Sequence, residues 1–94
     1  MIYGFLSPAE LELRQAVVYY EDASPGLGLD VLIEVELTIE RILRHPNAWA
    51  KVSSEHRRCR TRRFPFGIIY SIEDDCVLIA AVMNLRRHPQ SWQR

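Results

Sequence analysis

The stretch RRCRTRRFPFGIIYSIEDDCVLIAAVMN, residues 57–84, decides the fold. Its end is the clearest part: CVLIAAVM is an unbroken apolar run with turn residues before it and Asn84 after it. A run of that length and setting suits a strand buried on both faces. EDD provides the turn into it, and Pro65 punctuates the residues upstream. The stretch therefore reads as three consecutive strands, at about residues 57–64, 66–73 and 76–84, joined as antiparallel hairpins. Its first seven residues hold five arginines and no lysine. On a strand, Arg58, Arg60 and Arg62 share one face, and Arg57, Cys59, Thr61 and Arg63 share the other. Lysine is the usual charge that guards a sheet edge, whereas a planar guanidinium fork grips carboxylate or phosphate in two places. Arg58, Arg60, Arg62 and Arg63 read either as a solvated sheet edge or, favoured by the absence of lysine, as binders of an anionic target, with Arg86 and Arg87 extending the same basic side.

Upstream of the stretch the period changes from two to 3.6. Ala9, Leu13, Ala16, Val17 and Tyr20 recur at three and four residues, which predicts a helix reaching about Asp22. Ser7 as N-cap, Pro8 at the first helical position and Glu10 three residues after the serine make a capping box, with Leu6 and Leu11 as its staple. EDASPGLG breaks the pattern, and Ser24 with Pro25 is expected to restart it. Leu32, Val35, Ile39, Ile42 and Leu43 form the second stripe, and Pro46 ends that helix at His45. Leu11, Val18, Leu29 and Val31 lie off both stripes. NAWAKVSSEH shows no periodicity and reads as loop, while residues 2–6 read as a first strand. The order βααβββ, a helical hairpin packed on a small, mostly antiparallel sheet, is an α+β fold in one domain spanning residues 1–94.

Composition narrows the function classes. The formally neutral total hides a split: residues 1–40 carry one basic and eight acidic side chains, and residues 41–94 carry eleven basic and four acidic. Such asymmetry points to one anion-seeking side. No apolar run approaches the roughly 20 residues of a membrane helix, so no membrane role is expected. Cys59 and Cys76 show no metal-ligand spacing and read as reduced thiols of a cytoplasmic protein, with no cofactor or metal.

The segments YYEDASPGLGLDVLIEVELTIERILRHPNAW, RRFPFGIIY and AAVMNLRRHPQSW, in this order, resemble the RelE/ParE superfamily of bacterial toxins, nearest its ParE-like, plasmid-stabilisation branch. The resemblance implies a type II toxin that is neutralised by a cognate antitoxin whose C-terminal segment wraps it, forming a hetero-oligomer. Leu11, Val18, Leu29 and Val31 are then the expected antitoxin contacts. The resemblance also implies one of two targets: messenger RNA on the ribosome for RelE-like members, DNA gyrase for ParE-like ones. RelE-like toxins often place an arginine where this chain has Gly67 and a tyrosine where it has Trp92, an indole with no titratable hydroxyl. Many ParE-like relatives have histidine where this chain has Asn84. Of the nuclease pattern only Arg86 is retained, with His88 as a replacement base if the chain cleaves RNA. The expectation is growth inhibition by binding gyrase without chemistry. The alternatives are a ribosome-dependent endoribonuclease, or a degenerate member that only binds antitoxin.

Overall fold

The computed structural model describes residues 1–86. In chain order its elements are β1 (Ile2–Phe5), α1 (Ser7–Ala23), α2 (Leu27–Arg44), β2 (Ala50–Lys51), β3 (Arg57–Arg60), β4 (Phe66–Glu73) and β5 (Cys76–Asn84). The strands form one sheet in the order β1-β5-β4-β3-β2. β1 runs parallel to β5, and every other pair is antiparallel. The α+β architecture expected from the sequence is thus present, with one two-residue strand, β2, inside the segment read as loop. Among the described residues no helix is long and apolar enough to cross a membrane.

Both helices pack on one side of the sheet. Val31, Val35, Ile39 and Ile42 of α2 and Ala9 and Ala16 of α1 are buried against Ile68, Tyr70, Val77, Ile79 and Val82. Each large side chain buried in this way contributes about 1.5–3 kcal/mol. β5 serves the two sides of the sheet through a bulge. The register passes from Ile69↔Ala81 to Tyr70↔Ile79, so Ala80 is an extra residue with no partner. Before it, Val77 and Ile79 face the helices; after it Val82 does, while Ala81 and Met83 face the other side. The bulge reverses the alternation. The side chain of Glu12 in α1 reaches across to accept from the Val82 backbone N–H at 3.0 Å.

Three local expectations are corrected. Ser7 is already helical, and α1 is capped by Leu6 without a side-chain bond. The Leu6 N–H donates to Ile79 O at 2.9 Å, so the chain stays extended along β5 until it turns directly into the helix. The Glu10 carboxylate pairs instead with Arg14 at 3.0 Å. Ser24 ends α1, while α2 is capped by Gly26 at φ 89, a conformation glycine adopts without steric cost. The acceptor for the free N–H groups of Gly26 and Gly28 is the Glu21 carboxylate, at 3.0–3.1 Å. Gly28 also permits the helices to touch, because a Cβ there would sit 2.7 Å from Val17 O. Finally, the first strand of the quoted stretch stops at Arg60. Thr61 closes a turn by donating its N–H to Phe66 O and its hydroxyl to Phe64 O, with Phe64 at φ 69. Arg62 and Arg63 therefore lie in this turn and not on the strand.

Candidate functional site: an arginine-bearing sheet face and an apolar helix face

β3 alternates as a strand should. Cys59 is buried on the helix side, and Arg57 on that side donates Nη1–H to Trp49 O at 2.7 Å. Arg58 and Arg60 point to the opposite side, which no helix of the described residues covers. Arg60 lies across from Gly67, and Gly67 across from Met83, in one row of the sheet. The missing side chain at Gly67 is filled by Arg58. A Cβ there would fall 3.0 Å from Arg58 Cδ, 3.2 Å from its Cγ and 3.2 Å from Leu85 Cδ2. The apolar stem of Arg58 thus lies on the sheet, with its charged head beyond the stem. Ile69, Ala81 and Met83 beneath are at most 2 % exposed, and among the described residues Val52, Ala80 and Leu85 pack against them.

The arginines divide by partner. Arg14, Arg44 and Arg63 form ion pairs with Glu10, Glu40 and Asp30. Arg41 donates to Thr38 and to Arg60 O. Arg58, Arg60, Arg62 and Arg86 have no carboxylate partner among the described residues. Glu34 of α2 accepts the backbone N–H groups of Arg62 and Arg63 at 2.6 and 3.1 Å, which fixes the turn that carries them. Arg63 is committed further, to Asp30 at 3.4 Å and over the Phe64 ring at 4.8 Å. Of the six arginines expected to bind an anion, the strand brings Arg58 and Arg60 together beside Gly67. Arg86 lies just past β5, at the same end of the sheet. Arg62 and Arg63 leave that face, and Arg87, His88 and Trp92 lie outside the described residues.

Titratable groups near β3 are tied up. Burial pushes the Cys59 thiol up, with Arg41 and Arg62 opposing more weakly. Burial likewise raises Tyr70 to about 12 against the opposing Arg57 charge, and its hydroxyl donates to Pro46 O at 2.5 Å. Among the described residues, no group of three or more His, Cys, Asp or Glu side chains could hold a metal ion.

This arrangement has known relatives. Toxin ParE2 of Mycobacterium tuberculosis, in strains CDC 1551 and H37Rv, is 31% identical over 84 residues, which span 87% of this chain and 79% of the relative. The chain belongs to the ParE family of type II toxins. A solved chain of the chromosomal ParDE TA system from P. aeruginosa superposes with a TM-score of 0.78, covering 89% of this chain and 95% of that one. At 15% identity that likeness bears on the fold alone. No protein-family model matches the chain.

The second surface of this ParE-family toxin is the side of the hairpin turned away from the sheet. Leu11, Val18 and Leu29 are exposed there, at 56, 58 and 59%. Val31 is not: it is fully buried, four residues before Val35 on the core stripe of α2. Its place among the expected antitoxin contacts is therefore withdrawn. Ile33 and Leu37 are exposed instead, and with Leu29 they recur every four residues to make a second apolar stripe. That spacing was visible in the sequence and was masked by the stronger core stripe beside it. Tyr19 of α1 is exposed as well. Trp49 packs against the helix-side core.

Proposed function

We propose that this toxin acts in the cytoplasm by binding DNA gyrase through its uncovered sheet face, without cleaving RNA, and that a cognate antitoxin neutralises it. The observation that carries this reading is the pair Arg58 and Arg60, which share a face beside Gly67 and have no carboxylate partner among the described residues. Unpaired guanidiniums on a flat, rigid platform suit carboxylate side chains of a protein surface. Cleavage of RNA by its own 2′-hydroxyl needs a base, an acid and a phosphate clamp. Around Gly67 the described neighbours are the Arg58 stem and Leu85, with Ile69, Ala81 and Met83 on the same face. These supply charge and shape but no proton donor or acceptor of suitable pKa. For the antitoxin, the Leu29–Ile33–Leu37 stripe and the Leu11 and Val18 side chains suit an amphipathic helix that covers the hairpin, giving a toxin–antitoxin hetero-oligomer.

Two assays with the purified chain test the reading. Inhibition of gyrase-catalysed supercoiling, with ribosome-bound messenger RNA left intact, is the expected pair of results. Cuts positioned at the ribosomal A site and abolished by Arg86→Ala would replace it with the endoribonuclease. Inactivity in both assays, together with harmless expression in cells, would leave a degenerate antitoxin-binding member.

A further inference from the structure

A cleft at the other end of the sheet takes no part in these surfaces. β4 continues to Glu73, but β3 pairs with it only between Gly67 and Tyr70. Among the described residues, residues 71–73 therefore have β5 on one side and no strand on the other. Beside them opens a cleft of about 680 Å³, whose lining includes Leu6, Lys51, Glu55, Arg57, Ile72 and Glu73. The loop over residues 52–56 keeps the cleft open because it is tied to itself. The N–H groups of Val52 and Ser53 both donate to His56 O, at 2.9 and 3.4 Å. The Ser53 hydroxyl oxygen in turn accepts from the N–H groups of Glu55 and His56, at 3.3 and 3.1 Å. Residues tied in this way do not extend β3 along β4.

The cleft also holds an unresolved repulsion. The register of β2 on β3 sets Lys51 directly across from Arg57, and both line the cleft. Like charges directly opposite on antiparallel strands destabilise the pair. Neither side chain has a carboxylate within ion-pair distance among the described residues. Arg57 is held in place by its bond to Trp49 O at 2.7 Å, so the two cations are kept together rather than splayed by their own repulsion.

We propose that this cleft receives an extended peptide segment of a partner protein, which lies beside residues 71–73 as an added strand and sets one carboxylate between Lys51 and Arg57. Strand addition at a sheet edge gains affinity from main-chain hydrogen bonds and specificity from alternate side chains. Leu6 and Ile72, both partly exposed, offer apolar contacts to such side chains. The charge pattern selects a peptide over a nucleic acid. Glu55 and Glu73 line the same cleft and repel a polyphosphate, whereas a peptide can bring a single carboxylate to the cations. The inference rests on the cleft alone, so it stands or falls independently of the gyrase reading.

The test uses the ¹⁵N-labelled full chain titrated with the blocked pentapeptide Thr-Val-Glu-Val-Thr, its Gln and Lys counterparts at the centre, and hexathymidylate. The Glu peptide is expected to shift the amide signals of Lys51 and residues 71–73, the Gln peptide to bind about 5–10-fold more weakly, and the Lys peptide more weakly still. N-methylation of the central peptide bond is expected to abolish binding, because it removes a main-chain donor. Lys51→Glu separates this role from a structural one. It relieves the repulsion with Arg57, raising the melting temperature by roughly 2–5 °C, while weakening the Glu peptide at least about 10-fold. Equal binding of the Glu and Lys peptides, tighter binding of hexathymidylate or no shifts at residues 71–73 would overturn the proposal. So would a Lys51→Glu chain that melts lower and binds the Glu peptide unchanged.

Discussion

Arg57 and Arg58 are neighbours in the chain and opposite in circumstance. Arg57 points to the helix side, where Trp49 O accepts its hydrogen bond. Arg58 points to the uncovered side, where its stem replaces a missing side chain at Gly67 and its guanidinium has no carboxylate partner among the described residues. The same contrast holds for the two sides of the sheet as a whole. Under the helices lies a thick core that Val31, Val35, Ile39 and Ile42 complete from above; on the other side Ile69, Ala81 and Met83 form a smaller cluster, against which Val52, Ala80 and Leu85 pack among the described residues. One side of the sheet is spent on holding the fold together, and the other is the side proposed to meet a target.

The sharpest way to break that contrast is a pair of cavities. Ile68 and Ile69 are adjacent and equally buried, one on each side. Ile68→Ala is expected to cost about 4–5 kcal/mol, because helix and sheet cannot both close on the void. Ile69→Ala should cost about 2–3 kcal/mol, since the smaller cluster around it can close in. Urea unfolding of both variants measures the difference, and equal losses would mean the two sides are equally rigid.

A second test cuts the tie from the helix layer to the arginine turn. Glu34→Ala leaves the N–H groups of Arg62 and Arg63 without their acceptor, and a loss of about 1.5–3 kcal/mol is expected, with line broadening confined to residues 61–65. Glu34→Gln keeps one carbonyl acceptor and should recover about half of it.

Alkaline pH probes the helix side alone. Burial raises Tyr70 to about 12 and also raises Cys59. A neutral acid whose folded pKa lies above its unfolded one holds its proton longer in the folded state. The stability it contributes is complete below the unfolded pKa and is lost as pH rises through the folded one. For Tyr70 the window runs from about 10 to about 12, with a loss of about 2–3 kcal/mol across it. Denaturation followed from pH 8 to 12 should show this decline, and Tyr70→Phe should remove the Tyr70 part of it, leaving the slope that the raised Cys59 thiol contributes.

The smallest structural effect belongs to the uncovered side. Replacing Arg58, Arg60 and Arg62 together by lysine keeps the charge and removes the planar fork, and stability should move by less than about 0.5 kcal/mol. Toxicity and target binding should nevertheless fall at least about tenfold. An unchanged growth-arrest phenotype in the triple variant would return these side chains to the role of a solvated surface.

Where the governing contacts are local, the sequence was readable. The stripe of α1 follows the helical period as expected and that of α2 nearly so, with Val31 buried and Leu32, expected on the stripe, 37% exposed; the two-residue turn at Asp74 and Asp75, both at positive φ, was announced by EDD. Alternation placed Arg58 and Arg60 on one face correctly. It failed at Arg62 and Arg63, because a carboxylate 28 residues upstream captures their backbone. Ser7 and Ser24 had the right chemistry for caps, but Ile79 O, distant in sequence, and the Glu21 carboxylate, five residues before Gly26, decide where the helices begin. The bulge at Ala80 was hidden for a different reason. In a strand that is apolar on both faces, a change of phase leaves no mark on the pattern.

The parallel pairing of β1 with β5 has a consequence in time. Ile2 lies beside Cys76, so the first strand to be synthesised waits for the last before it has any neighbour. Contacts of such long range close slowly, and at about 5–20 residues per second the ribosome needs several seconds to deliver β5. A chain interrupted before Cys76 lacks both the partner of β1 and one flank of β4, and cannot form the sheet face on which Arg58 and Arg60 stand. If the proposed function holds, the target-binding face is the last part of the described fold to be assembled, and a translation product abandoned before Cys76 lacks it.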